Sequence, residues 1–218
     1  MAEVTAYKWV PEFAQGFVRD LRVRWALEEA GRSYSENIIA LEENSAPAYL
    51  KRQPFAQVPA YRDGPVDMFE SGAIVLQIAQ GSEALMPKDE VGRARTTSWV
   101  FAAMNSVEPF VMNVRSAELF WAGEPWAAGF GKKAAEVLKM RLARLSGWLG
   151  DKDFLEGRFS AGDLMMACVL REISGSEHLA TFPELEAYCA RCLERPAFRK
   201  ALEAQLKVFA AHEPAQTS

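Results

Sequence analysis

Cysteine is scarce in this chain: three in 218 residues, Cys168, Cys189 and Cys192. An odd and small number excludes a disulfide scaffold, and a reducing cytoplasm is the economical reading. Histidine is scarcer, with only His178 and His212, and neither shares metal-ligand spacing with a cysteine, so no metal site is expected. Basic charge is in deficit: 25 Lys and Arg against 29 Asp and Glu. Residues 1–84 hold 8 bases and 12 acids, and residues 85–218 hold 17 of each. Neither part has the excess that phosphate binding demands, so no nucleic-acid partner is expected. No apolar run approaches bilayer-spanning length, and Met1-Ala2-Glu3-Val4 opens with no basic region followed by an apolar one, so no secretory leader is expected. A P-loop, a G-x-G-x-x-G and a local Ser/His/Asp motif are all missing, as are internal repeats and low-complexity tracts.

Half of the residues are apolar and a quarter are charged, an ordinary globular composition with material for a sizeable core. The first third alternates short strands and helices. Residues 4–9 alternate weakly and predict a strand. A helix follows over 17–30, with Phe17, Leu21 and Trp25 on one face and Gly31 just past its end. Residues 34–39 predict a second strand and 46–51 a short helical piece. Two apolar runs, 58–61 and 66–69, flank Arg62-Asp63-Gly64-Pro65 and predict a hairpin. Ser71 opens another helix.

Beyond Leu85-Met86-Pro87-Lys88-Asp89 only helical patterns remain. Long stretches over 96–120 and 127–149 are separated by Ala122-Gly123-Glu124-Pro125; a third starts near Ala161, and two more flank Arg195-Pro196. The expected organisation is therefore a small α/β domain over 1–84, a linker over 85–95 and an all-helical domain over 96–218.

Two places carry chemistry. In Gln57-Val58-Pro59 the proline opens a short strand and is a candidate cis-proline, or else a trans proline starting an edge strand. A cis bond would leave the Val58 backbone facing outward, able to pair with an extended peptide as an added strand. Eleven residues after Pro59 stands Glu70-Ser71-Gly72, with Ser71 placed as the N-cap of a helix. Free N–H groups at a helix start suit a carboxylate, and the Glu70 carboxylate suits an ammonium. Alone, these are a cap and a surface acid; together they suit a ligand with a peptide backbone and an amino-acid end. Downstream, Ser160 and Asp163 form a capping box behind Phe159, a structural feature that starts a buried helix.

Gln57-Val58-Pro59 followed by Phe69-Glu70-Ser71-Gly72-Ala73-Ile74 resembles the glutathione-site signature of the cytosolic glutathione S-transferases, bacterial type. Residues 22–31 resemble that family's first helix, 154–163 its capping-box motif, and Glu194-Arg195-Pro196-Ala197-Phe198 its late Arg-Pro segment. The four matches come in order and span nearly the whole chain. The resemblance implies a thioredoxin-like N-terminal domain, an all-α C-terminal domain that contributes the electrophile pocket, and a homodimer. It implies glutathione as co-substrate, with Val58 pairing the cysteinyl backbone, Pro59 in cis, Glu70 and Ser71 holding the γ-glutamyl end, and Gln57 near the glycyl end.

The family also needs a group that lowers the thiol pKa of glutathione, usually Tyr, Ser or Cys after the first strand. Counted back from Arg24, the Ser or Cys position falls on Phe17, and residues 11–18 contain no Ser, Thr, Cys or Tyr. Candidates for the role are the N–H groups and Arg19 at the start of the first helix, Tyr7, and Asn105 or Ser106 in the first long helix of the second domain. Cys189-Ala190-Arg191-Cys192 sits in a late helix, not after a strand, so it reads as chance spacing. Trp9, Phe13, Met104, Met112, Trp121 and Trp126 are candidates to line an apolar electrophile pocket, or are simply core. The expected function is a cytoplasmic transferase that conjugates glutathione to small apolar electrophiles. The alternatives are reduction of disulfides or peroxides by glutathione, and a non-catalytic module that binds glutathione or a protein.

Overall fold

The computed structural model describes residues 1–214. Two compact units emerge among the described residues: Met1–Leu85 together with residues 195–214, and Met86–Glu194.

The first unit is built on a four-stranded mixed sheet in the order β2-β1-β3-β4. β1 (Ala2–Tyr7) is central, and Ala2, Val4 and Ala6 are buried on one of its faces. It leads through α1 (Asp20–Glu29) to β2 (Tyr34–Ile39), which pairs with it in parallel from Ala2↔Tyr34 to Tyr7↔Ile39. A short α2 (Pro47–Leu50) precedes β3 (Ala60–Asp63) and β4 (Val66–Phe69), an antiparallel hairpin closed by Gly64 and Pro65. Gly64, at φ +58°, takes the first central position of this two-residue turn, where L side chains are disfavoured. α3 (Ser71–Ala79) completes the thioredoxin-like order implied by the resemblance.

Several boundaries move from their predicted places. β1 begins and ends two residues early, because its ladder with β2 starts at Ala2 and beyond Tyr7 keeps only the Lys8 N–H to Ile39 carbonyl bond. β3 begins two residues late, because Pro59 has no N–H to give a ladder. α1 starts at Asp20 rather than Phe17; residues 17–19 form a turn that places Arg19 at the N-cap. Its end is as expected: Gly31, at φ +64°, gives its N–H to the Glu28 carbonyl while the Arg32 N–H bonds the Leu27 carbonyl.

The predicted domain boundary is also corrected. The last helix, α10 (Pro196–Ala211), belongs with the first unit, not the second. It lies on α1: Phe198 meets Trp25 edge-on at 4.8 Å, Arg195 forks onto Glu29 at 2.5 and 2.8 Å, and Lys200 reaches Glu28 at 2.7 Å. Much of the expected linker is helical, since α4 (Glu90–Phe101) starts at once after its cap Asp89, whose carboxylate accepts the Gly92 N–H.

The second unit is all helix among the described residues. The predicted helix over 96–120 is really α4, a π-helical stretch (Ala102–Val107) and α5 (Glu108–Leu119). Pro109 has no N–H for the carbonyl one turn back, so the regular ladder cannot run through it. Then come α6 (Ala127–Leu149), α7 (Ala161–Arg171), α8 (Glu177–Ala180) and α9 (Pro183–Leu193). Residues 161–170 of α7 are all buried, and the expected capping box starts it: the Asp163 carboxylate accepts the Ser160 N–H and hydroxyl, each at 2.9 Å. No helix among the described residues is long and apolar enough to cross a membrane.

Candidate glutathione site

The pairing of β3 with β4 assembles the site. Ala60 is opposite Phe69, so the residues just outside that rung, Pro59 and Glu70, emerge side by side. The Val58-Pro59 peptide bond is cis. No hydrogen bond among the described residues engages the Val58 N–H or carbonyl, so this stretch is an unpaired backbone edge. The Val58 side chain is buried with Ile39, Tyr49 and Ala60, and Tyr7 and Val18 pack against the same cluster. The apolar anchor thus fixes Val58 while its backbone stays available. Tyr49 on α2 also donates its hydroxyl to the Gln57 carbonyl at 2.6 Å, and burial pushes the Tyr49 pKa up, keeping it a donor. Gln57 itself is exposed.

At α3 the N-cap is Glu70, and Ser71 is the first helical residue, a correction of one position. The strand pairing runs through Phe69, so the break in backbone direction falls on Glu70, at φ +71°. The only other non-glycine residue at positive φ among those described is Ala56, at +55°. Both flank the Val58 edge. Such a conformation costs on the order of 1–3 kcal/mol and tends to be held at functional sites. Glu70 is exposed and makes no side-chain cap, while Ser71 is 3 % exposed. The first turn closes with the Ile74 N–H on the Glu70 carbonyl, leaving the earlier N–H groups of the helix for an anion.

Beneath Ser71 lies Arg22 of α1, 4 % exposed, whose guanidinium donates to the Ser71 hydroxyl oxygen at 3.4 Å. With a lone pair so engaged, that hydroxyl keeps its proton for an outside acceptor, and a buried positive charge stands one bond behind it. Sequence reasoning missed Arg22. The signal was present: two arginines, Arg22 and Arg24, inside the most apolar stretch of a helix that is buried from Asp20 to Leu27.

A family model for the glutathione S-transferase N-terminal domain matches residues 4–80. Glutathione S-transferase F11 of Arabidopsis thaliana is 31 % identical over 181 residues, covering 74 % of this chain and 80 % of that protein. A glutathione S-transferase of Silene vulgaris is 30 % identical over 182 residues, covering 73 % and 79 %. The chain belongs to the glutathione S-transferase family. Its fold is likewise that of a glutathione transferase family member from Pseudomonas fluorescens, solved with two glutathione bound: TM-score 0.80 at 24 % identity, over 93 % of this chain and 92 % of that one.

In this member of the family, Gln57, Val58, Pro59, Glu70, Ser71 and Arg19 all lie in the first unit, whereas Asn105 and Ser106 lie in the second. Arg19 is exposed at the start of α1. Asn105 is exposed on the π-helical stretch. Ser106 lines a cavity of about 250 Å³ with Trp99, Arg141, Arg144, Trp148 and Met166, all of its own unit. Phe17 is half-buried. The Tyr7 hydroxyl accepts from Asn44 at 3.1 Å. Of the aromatic candidates, Trp121 meets the Trp126 ring at 5.3 Å, tilted, and the Phe130 ring edge-on at 5.7 Å, and Trp126 and Phe13 are more than half exposed. Cys189 and Cys192 form no disulfide among the described residues and are buried in α9; burial pushes the Cys189 thiol up to about 11, the opposite of a reactive thiolate.

Proposed function

We propose that this protein is a cytoplasmic, homodimeric glutathione transferase that adds the glutathione thiolate to small apolar electrophiles. The observation that carries the reading is the unpaired Val58 edge emerging beside the start of α3, with Ser71 backed by a buried arginine. A tripeptide adding itself as a strand would pair its cysteinyl backbone with the Val58 N–H and carbonyl. Its γ-glutamyl carboxylate would take the Ser71 hydroxyl and the first N–H groups of α3, and its ammonium would face Glu70. Gln57 would flank the glycyl end. The sulfur would then attack the electrophilic carbon, forming one C–S bond as the leaving group departs with the bonding pair. Holding both reactants together supplies much of the acceleration, and Trp9 and Phe13 on the β1–α1 connection offer apolar surface to the electrophile.

The second reading, a module that binds glutathione or a protein without turnover, is favoured by one feature: residues 11–18 carry no hydroxyl or thiol, with Phe17 at the usual place. Calorimetry of glutathione on the full chain, followed by turnover of chlorodinitrobenzene, separates the two. Binding with turnover is the expected result. Absence of binding refutes both glutathione readings, and binding without turnover of any electrophile or disulfide leaves the module.

A further inference from the structure

With no hydroxyl at Phe17, the turn before α1 is held from the far end of the chain. Gln205, on α10, is 1 % exposed. Its Nε2 donates to the Val18 carbonyl at 3.1 Å and to Asp20 Oδ1 at 2.6 Å. Both partners are acceptors, so the orientation of the amide is fixed by chemistry. Each partner is also gripped from its own helix. The Val18 carbonyl accepts the Leu21 N–H at 3.0 Å, and Asp20 Oδ2 accepts Arg24 Nε at 2.7 Å. Gln205 Oε1 is buried and has no hydrogen-bond partner among the described residues. A leucine there would avoid burying that oxygen, so the amide is of use for the two bonds its nitrogen makes.

Those bonds bear on the site through Val18. Its side chain packs on the cluster that anchors Val58, and its N–H engages nothing among the described residues. A cysteine zipped onto the Val58 backbone would extend its sulfur toward this neighbour. We propose that Gln205 is a positioning residue for the sulfur end of the glutathione site: it fixes the turn before α1 so that the Val18 N–H, in place of a side-chain hydroxyl, is presented to the thiolate. The proposal rests on the glutathione reading above and deepens it.

The test is Gln205→Leu in the full chain, with three readouts. The thiol of bound glutathione, followed through thiolate absorbance, should ionise at higher pH than in the wild type. Turnover, as kcat/KM, should fall about tenfold, the scale of one well-placed hydrogen bond to a charged group. Affinity for S-methylglutathione, which has no ionisable thiol, should stay within about twofold of the wild type. An unmoved thiol titration in the folded variant overturns the proposal, and so does a parallel loss of S-methylglutathione affinity, which marks a merely structural role. Should the leucine variant fail to fold, Gln205→Asn, which keeps the amide but draws it back by one methylene, is read in the same way. Failure of the wild type to bind glutathione sinks the underlying reading instead, so the two failures are distinguishable.

Discussion

Asp163→Ala tests how the helical unit is held together. The carboxylate is fully buried and accepts four hydrogen bonds: from the Leu155 N–H at 2.9 Å, the Ser160 N–H and hydroxyl at 2.9 Å each, and the Tyr188 hydroxyl at 3.0 Å. Burial raises the carboxyl pKa against the pull of these donors, so the ion itself is expensive to bury. The larger effect of its removal is on the donors. The Ser160 hydroxyl can turn elsewhere, but the Leu155 and Ser160 N–H groups and the Tyr188 hydroxyl are stranded in the interior. At about 1–3 kcal/mol per unsatisfied group, with partial relaxation, the expected loss is about 4 kcal/mol. That is a large share of the ~5–15 kcal/mol by which domains are usually stable. Urea unfolding followed by tryptophan fluorescence reads it well, since Trp99 and Trp148 lie in the same unit. Tyr188→Phe, which removes one donor and leaves Asp163 three, should cost only about 1 kcal/mol. A loss below about 1 kcal/mol for Asp163→Ala, or equal losses for the two variants, would refute the reasoning.

Ser71→Ala should weaken glutathione binding by at least about tenfold, one hydrogen bond to a carboxylate, and lower the melting temperature modestly because the buried Arg22 loses an acceptor; unchanged affinity in calorimetry counts against the assigned site. Gly162→Ala should destabilise, because a Cβ there would stand 2.5 Å from Trp99 Cβ, and α4 must move away from α7. The cost of overpacking, about 1–3 kcal/mol, outweighs the roughly 1 kcal/mol of helix propensity gained, and a thermal melt should show the drop. Cys189 titrates at about 11 when folded against 9.0 for an ordinary thiol. A raised folded pKa means its contribution to stability is complete below pH 9 and is lost between about pH 9 and 11, amounting to about 2–3 kcal/mol. Alkylation at pH 8 should accordingly leave Cys189 unmodified until denaturant is added, and rapid labelling of the native chain would contradict its burial.

How much of this was legible beforehand depended on how local the cause was. Residues 34–39 and 127–149 form the predicted strand and helix with no change of bounds, because their periodicity and flanking turn residues sit within a few positions of each other. The capping box at Ser160 and Asp163 is just as local, three residues from donor to acceptor. Phe17 misled because it keeps helical spacing with Leu21 and Trp25; apolar spacing reports a shared face and says nothing of whether residue 17 is yet in the helix. Ser71 misled for a different reason. It has the right chemistry for an N-cap, but the Ala60↔Phe69 pairing sets where the strand stops, and that placed the cap on Glu70. Least legible was α10. Gln205 and Asp20 are 185 positions apart, and nothing in the periodicity of either helix announces that they share a hydrogen bond. The grouping of α10 with the first unit is therefore a tertiary fact, invisible to any window of sequence.

The same distinction governs the site. The end proposed to take the carboxylate is encoded locally, in a β-hairpin whose register carries Pro59 and Glu70 out together and a helix that starts at once with Ser71. The sulfur end is not. The connection after β1 lacks the side chain that would announce it, and its shape is set by a buried triad from two distant helices, Asp20 and Arg24 on α1 and Gln205 on α10. A hydroxyl can be mutated into or out of a loop by one base change, whereas a main-chain N–H is always present and needs only to be aimed. If aiming is what this chain uses, substitutions at Phe17 that leave the turn intact should matter less to the bound thiol than substitutions at the buried Gln205. Phe17→Ser, far from rescuing a missing activator, should then raise turnover by less than Gln205→Leu lowers it. A large gain from the serine, with the bound thiol ionising at much lower pH, would mean that the site had been waiting for a hydroxyl all along.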